Sequence, residues 1–287
     1  MTKNTEKVKG EFLKLDILPL KRLGQNFLTD GRTVVSAVDA AELKPRENVL
    51  EVGGGTGILT EEMARRGATV VTVEKDARLV PFLEKIAASY PNVTPVHGDI
   101  LDINPELYFK NTPYKLVGNP PYYLTGHLLR RFLEEVATRP SQVVLIIQKE
   151  VAKKVVAKPP EMNLLALSVR VFGEPRVTRV ISKGSFWPQP KVDSALLVID
   201  VKRQNWLREG EIKDFFAIAH AAFRQQRKKL RNSLGKSLGF SSKEVQSWLE
   251  KAEVSGDRRP ETLTLEEWAG IFGTRPQGTY HGASIKY

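Results

Sequence analysis

The 287 residues contain no cysteine. Disulfides, thiolate nucleophiles and cysteine-based zinc sites are therefore excluded. Histidine is almost as scarce. The four copies, at positions 97, 127, 220 and 281, have no metal-ligand spacing, so no metal site is expected. No apolar stretch approaches the ~20 residues that span a bilayer. Met1 to Gly10 is polar and charged, without the apolar core of a secretion signal. No membrane partner is expected, and a cytoplasmic location follows by default. Internal repeats and low-complexity tracts are also missing.

What is present is positive charge. Lys and Arg number 44 against 33 Asp and Glu, a formal net charge of +11. Such an excess favours a polyanionic partner, nucleic acid first, although charge alone also fits a merely soluble basic protein. Hydrophobic residues make up 41%, and the length suits one large domain plus a small one.

The most informative stretch is Val49-Leu50-Glu51-Val52-Gly53-Gly54-Gly55-Thr56-Gly57. An apolar run stops at an acid and opens into a glycine-rich loop. A short helical pattern closes at Gly67, and a second apolar run from Thr69 ends at Glu74. The order strand, loop, helix, strand places a ligand where the loop meets the helix start. A dinucleotide fingerprint would need glycine at position 58, which is Ile58; the pattern is instead G-x-G-x-G. Glu74 then stands where an acid can accept hydrogen bonds from ribose hydroxyls. Alone, the glycines would also fit a tight turn.

Lys115 to Gly118 reads as a later strand that runs into Asn119-Pro120-Pro121-Tyr122. The prolines stiffen the backbone and remove two N–H donors. Carbonyls there can face a substrate without local competition. The Asn119 side-chain oxygen and the Pro120 carbonyl can together hold both hydrogens of an exocyclic amine such as adenine N6. Its lone pair, otherwise delocalised into the ring, would then be oriented for attack. Tyr122 offers a flat ring to a base outside its helix. Asp99, after the strand Val93–Val96, falls on the ligand side of an open α/β sheet, where a turn acid is the equal alternative.

The remaining chain frames these motifs. Residues 1–20 read as a flexible arm. Lys21 to Leu28 reads as an ordered loop, followed by a helix capped at Asp30 or Thr33. Helices are expected at 77–88, 124–139, 150–157 and 163–169, and strands at 141–147, 176–181 and 195–201. Phe186 or Trp187, in a loop framed by prolines, can form the second face of a base sandwich with Tyr122. From 203 to 287 the strand–helix alternation stops, and a basic helical domain is expected. Its helical pattern over 212–234 carries Arg224, Arg227, Lys228, Lys229 and Arg231 without a local acid, a face suited to RNA phosphates. Two further helices follow at 243–252 and 265–271, the second with a Thr264/Glu267 capping box, and the last ten or so residues read as a tail.

Taken in order, these stretches resemble the ribosomal RNA adenine N6,N6-dimethyltransferases of the small-subunit type. The likeness runs from about Leu20 to about Phe272. It includes Leu23-Gly24-Gln25-Asn26-Phe27-Leu28, the glycine loop, Val73 to Asp76, Gly98 to Leu101, Gly118 to Tyr122, Gln148 to Ala152, Phe186 to Ser194 and Arg259 to Leu263. The resemblance implies a Rossmann-like α/β fold, a seven-stranded class I methyltransferase sheet over residues 21–202, with a small C-terminal all-α domain. It implies S-adenosyl-L-methionine as cofactor, with S-adenosyl-L-homocysteine as product. Contacts would come from Gln25, Asn26, Leu28, Gly53, Gly55, Glu74, Lys75, Asp99, Ile100 and Asn119. Asn119, Pro120, Tyr122 and Phe186 would form the catalytic face. The implied reaction is dimethylation of two adjacent adenosines in a hairpin near the 3′ end of small-subunit rRNA, late in subunit assembly, by a protein expected to be monomeric. Pro120 stands where the family usually has Leu or Ile, a change that keeps the carbonyl. Gly54 replaces a common Pro or Ala, which is expected to loosen the loop. Pro159 to Leu164 lacks the family's usual Tyr-Gly.

Three other readings compete. A related antibiotic-resistance class methylates one adenine of large-subunit rRNA, but the Phe186 and Arg259 segments are more like the small-subunit type. A non-catalytic RNA-binding assembly factor would be expected to carry a degraded motif. A DNA adenine methyltransferase shares Asn-Pro-Pro-Tyr but would need a larger recognition domain than the final 85 or so residues supply.

Overall fold

The computed structural model describes Glu6, Gly10, Phe12 and residues 17–202, 206–225 and 227–276. Most of the expected N-terminal arm and all of the tail from residue 277 lie outside these. By proximity of their Cα atoms the residues form two compact units, one of 1–152 with 174–201 and another of 153–173 with 202–287.

The first unit is built on a sheet of seven strands ordered β4-β3-β2-β5-β6-β9-β7. In chain order these are β2 (Asn48–Val52), β3 (Thr69–Glu74), β4 (Val93–His97), β5 (Tyr114–Gly118), β6 (Gln142–Gln148), β7 (Gly173–Ile181) and β9 (Ser194–Val201). A separate two-stranded sheet pairs β1 (Phe27–Leu28) with β8 (Phe186–Trp187). Strands β4, β3, β2, β5 and β6 run parallel, and β9 joins β6 antiparallel. The central strands are apolar almost throughout: every residue of β5, and six of seven in β6, are buried. Strands covered on both faces read as continuous apolar runs, which is why these segments were visible in the sequence.

Helices Gly31–Ala40 and Ile58–Arg65 share one core with the sheet. Val34, Ala37, Val38 and Ala41, spaced along one helical face, pack with Leu59, Met63 and Ala64 and with Val49, Val70, Val117 and Val144. Asp30, not Thr33, caps the first helix: its side chain accepts from the Thr33 backbone N–H and from the Thr33 hydroxyl. The expected long helix over 124–139 is shorter, because Thr125–Arg130 widens into a π-helical turn at Arg131–Glu135 and the chain is extended by Val136. The stretch from Lys21, expected to be irregular, contains a single 3-10 turn and then β1. Its strand partner lies about 160 residues away, beyond any local signal.

The order β3-β2-β5 reverses direction at β2, and ligands bind outside the carboxyl ends of strands at such a switch. Val52 and Gly118 end these strands in register. A Cβ at Gly118 would sit 2.5 Å from the Val52 carbonyl oxygen, so only glycine permits the approach.

Among its described residues after 202, the second unit is helical, with turns between the helices. Phe215 lies between Trp206, Phe216, Trp268 and Phe272, with ring centroids 5.1–6.5 Å away. Ser241/Glu244 and Thr264/Glu267 form complete capping boxes for Ser242–Lys251 and Leu265–Gly273, the second as expected from sequence. The helical pattern over 212–234 is in fact two helices, Ile212–Phe223 and Leu230–Leu238. No Gly or Pro marks the break. The N–H groups of Leu230 and Arg231 are satisfied by the carbonyls of Arg258 and Gly256, so a distant loop provides what the interrupted helix loses. Among the described residues no helix is long and apolar enough to cross a membrane.

Gly118→Ala is expected to destabilise the protein by about 1–3 kcal/mol, because the clash is with backbone and cannot be relieved by a rotamer change. Urea unfolding of the variant beside wild type checks this.

Candidate active site

Four strand ends converge on one cavity of about 330 Å³, within the first unit. The loop after β2 contributes Gly53 and Gly55, the end of β3 contributes Glu74 and Lys75, the turn after β4 contributes Asp99 and Ile100, and the loop after β5 contributes Asn119, Pro120 and Tyr122. Gln25, Asn26 and Leu28 close another wall. All ten sequence-predicted cofactor residues line this one space. Of the four predicted catalytic residues, Phe186 does not.

Gly53, Gly55 and Gly57 are left-handed, with φ of 70°, 57° and 79°, a conformation disfavoured for side-chain-bearing residues. Gly54 has a different reason to be glycine. A Cβ there would lie 2.3 Å from Thr72 Oγ1 and 2.8 Å from Leu83. Thr72 and Leu83 occupy the space that a larger residue would need.

The Glu74 carboxylate is anchored by backbone. Oε2 accepts from Gly55 N–H at 2.8 Å and Oε1 from Asp76 N–H at 2.8 Å. Each oxygen keeps a second lone pair for a ligand hydroxyl. Burial raises its pKa, and the backbone N–H bonds work against that. Asp99 behaves differently. Burial opposes its ionisation, but hydrogen bonds from Lys75 Nζ (2.5 Å) and Leu101 N–H (3.0 Å) outweigh it and hold the pKa below the ordinary value. Gln25 is held from both ends, accepting from Leu20 N–H and donating to Asp76 Oδ2. Arg78, and then Gln25, keep Asp76 ionised with a pKa of about 2.

Asn119 shows the most telling geometry. Its Nδ2 donates to the Asn26 carbonyl at 3.0 Å. That assigns the amide and leaves Oδ1 as an acceptor with no donor among the described residues. The Pro120 carbonyl likewise has no donor among them. Two unsatisfied acceptors on consecutive residues therefore line the cavity. Tyr122 presents its ring beside them while its hydroxyl is fixed 2.8 Å from Ser194 Oγ.

Phe186 is 3% exposed and belongs to the core beneath the sheet. In β8 it pairs with Leu28, and the alternation of a strand sends it inward while Trp187 meets Phe12 and Phe27. The proline-framed loop was read as presenting a ring; pairing with β1 uses both rings for packing. Tyr123 and His127, which line the cavity, were not singled out from sequence. Tyr123 follows a motif that explained its neighbours, and neither position has a spacing signal.

In the second unit Arg224, Arg227, Lys228 and Lys229 fall in the turn between helices, and Arg231 lies in the first turn of the second helix. Arg224, Arg227, Lys228, Lys229 and Arg231 are all exposed. Lys229 and Arg231 pair with Asp257 at 3.1 and 2.7 Å, an acid 26 or more positions away in sequence. Arg224, Arg227 and Lys228 carry no ion pair among the described residues. No group of acids and histidines among these residues could hold a metal.

The model of the family described as ribosomal RNA adenine dimethylase matches residues 20–273. The chain belongs to this family. A dimethylase of this family is an enzyme that methylates adenine in ribosomal RNA. Similar curated proteins are named ribosomal RNA small subunit methyltransferase A. One from Dehalococcoides mccartyi is 43% identical over 249 residues, covering 86% of this chain and 85% of that protein. One from Enterococcus faecalis is 37% identical over 262 residues, 88% of each. Among solved structures, the 23S rRNA methyltransferase ErmE has a TM-score of 0.70 at 27% identity, covering 87% of this dimethylase and 99% of that chain. A Plasmodium falciparum dimethyladenosine transferase, 22% identical with TM-score 0.74 over 85% and 95% of the two chains, shares the fold.

One consequence concerns Glu51, fully buried beneath the glycine loop. Its Oε2 accepts from Thr60 Oγ1 at 2.5 Å, and Oε1 has no partner among the described residues. Burial pushes its pKa from 4.5 to about 7. The folded state thus holds this proton more tightly than the unfolded chain. That contribution is complete below pH ~4.5 and is lost as pH rises through ~7. Glu51→Gln should be close to wild type in stability at pH 4.5 and more stable by on the order of 3 kcal/mol at pH 8. Urea melts at the two pH values test this; equal differences at both would refute it.

Proposed function

We propose that this dimethylase transfers methyl groups from S-adenosyl-L-methionine to N6 of two adjacent adenosines in a hairpin near the 3′ end of small-subunit rRNA, within the assembling subunit. The observation that carries the reading is the pair of free acceptors, Asn119 Oδ1 and the Pro120 carbonyl, beside Tyr122.

The cavity suits the cofactor. Its volume of about 330 Å³ lies in the range of small-molecule sites. The glycine loop brings bare backbone to its wall, and Glu74 offers lone pairs for two ribose hydroxyls. Asp99 can accept from an adenine amine, with Ile100 and Leu28 as apolar neighbours. When bound, the cofactor supplies an electrophilic methyl group. The chain's own residues do the rest. Asn119 Oδ1 and the Pro120 carbonyl accept the two N6 hydrogens and turn the lone pair toward the methyl donor. They also stabilise positive charge as it develops on N6. Tyr122, its hydroxyl tethered to Ser194, stacks on the flipped base. No strong general base is needed, since the methylated nitrogen becomes acidic.

Arg224, Arg227 and Lys228 are the cations available to rRNA phosphates, whereas Lys229 and Arg231 are engaged with Asp257. The small-subunit substrate is favoured over the large-subunit one by relatives at 43% and 37% identity, against 27% for ErmE.

The first test incubates the protein with labelled S-adenosylmethionine and small subunits lacking adenine dimethylation, and maps the modified bases. Two adjacent dimethyladenosines are expected. Asn119→Ala should lower turnover by roughly 10²–10³-fold. Label only in large-subunit rRNA would reassign the substrate, and tight subunit binding without transfer would leave an assembly factor.

A second test measures RNA affinity against salt. Arg227→Ala should reduce the slope of log K against log[salt] by roughly 0.7–0.9, the loss of one phosphate contact. Lys229→Ala should change the slope less, because its charge is already paired with Asp257. The reverse order would contradict the assignment.

A further inference from the structure

The match to the family begins at residue 20, yet the wall of the cavity depends on a side chain before it. Phe12 is 1% exposed. Its ring meets Phe27 edge-on at 5.0 Å and Trp187 edge-on at 5.5 Å, and tilts against Phe82 at 5.8 Å. The Phe12 carbonyl accepts from Ile17 N–H at 2.8 Å, and Ile17 is buried in the same cluster. Two further members, Phe27 and Leu79, line the cavity. Phe12 is thus one layer behind that wall.

Phe27 is poorly fixed by its own secondary structure. It belongs to a two-residue strand paired with a two-residue strand, and such a ribbon has little stability alone. What fixes Phe27 is packing, and Phe12 supplies a large share of it. Phe27 in turn touches the two features on which the site depends. A Cβ on Gly55 would come within 3.4 Å of the Phe27 ring, so the ring abuts the glycine loop. The preceding residue, Asn26, provides the carbonyl that orients Asn119.

We infer that Phe12 is a positioning residue for the cofactor cavity: by packing against Phe27 it holds the wall formed by residues 26–28 against the glycine loop. The inference rests on the cofactor reading of this cavity. It assigns a role in ligand affinity to a residue upstream of the family match.

The test uses the full chain as wild type, Phe12→Ala and Phe12→Leu. Calorimetry measures S-adenosylhomocysteine binding well below each melting temperature, and hydrogen exchange follows the Thr29 amide, which bonds the Ser185 carbonyl at 2.8 Å. Phe12→Ala should weaken binding by about tenfold and speed Thr29 exchange, with Phe12→Leu intermediate in both. A core truncation elsewhere in the sheet, Val144→Ala, should lower the melting temperature and leave the affinity unchanged. Wild-type affinity and wild-type Thr29 protection in Phe12→Ala would overturn the inference. So would an equal affinity loss in Val144→Ala, which would mark the effect as general destabilisation. Absence of S-adenosylhomocysteine binding by wild type would instead overturn the cofactor reading, and the Thr29 exchange rates would still decide whether Phe12 fixes the wall. Should Phe12→Ala fail to fold, Phe12→Leu carries the same comparison.

Discussion

The close pairing of β2 and β5 is the constraint from which the site follows. Parallel strands place their carboxyl ends together, and the reversal of strand order at β2 leaves a crevice outside those ends. Gly118 lets the two chains approach until no Cβ fits between them. One residue later on each strand, Gly53 and Asn119 leave the sheet. The glycine loop and the Asn-Pro-Pro-Tyr turn therefore face each other across a few ångströms of backbone, although about 65 positions separate them. Neither motif alone could make the cavity. Register brings them together.

On that frame the chain places fixed partial charges before any ligand arrives. Glu74 is held by two backbone N–H groups, and the Asn119 amide by one carbonyl. Groups held in this way need not reorganise when a ligand arrives, which is the physical basis of electrostatic preorganisation. The cost shows at Glu51 Oε1, buried beneath the loop and unpaired among the described residues.

Much of this was legible in the sequence because it is local. A strand that ends in G-x-G-x-G, an acid at the end of the next strand and a proline-stiffened turn each reveal their backbone consequences within a few residues. The fold class follows from the alternation of apolar runs with helical periods. Where the reading failed, long-range contacts decided the outcome. Phe186 looked presentable because prolines frame it, but pairing with Leu28 buried it. The need for glycine at position 54 was likewise hidden, because it comes from Thr72 and Leu83, which fill its side-chain space. The helix expected over 212–234 breaks at a point without a breaker residue, because carbonyls from the 256–258 loop cap the second half.

The basic segment shows why charge must be counted in space. Along the chain, five cations between 224 and 231 have no acid among them, which reads as one continuous RNA face. In three dimensions Asp257 arrives on the same loop that caps Leu230 and Arg231, and it engages two of the five. Exposed pairs of this kind are worth little in stability. Their effect here is on availability, since a cation already neutralised releases fewer counterions when it meets phosphate. The loop that breaks the helix thereby also sorts the cations. Arg224, Arg227 and Lys228 in the turn carry no ion pair among the described residues, and Lys229 and Arg231 at the new helix start are tied to the protein.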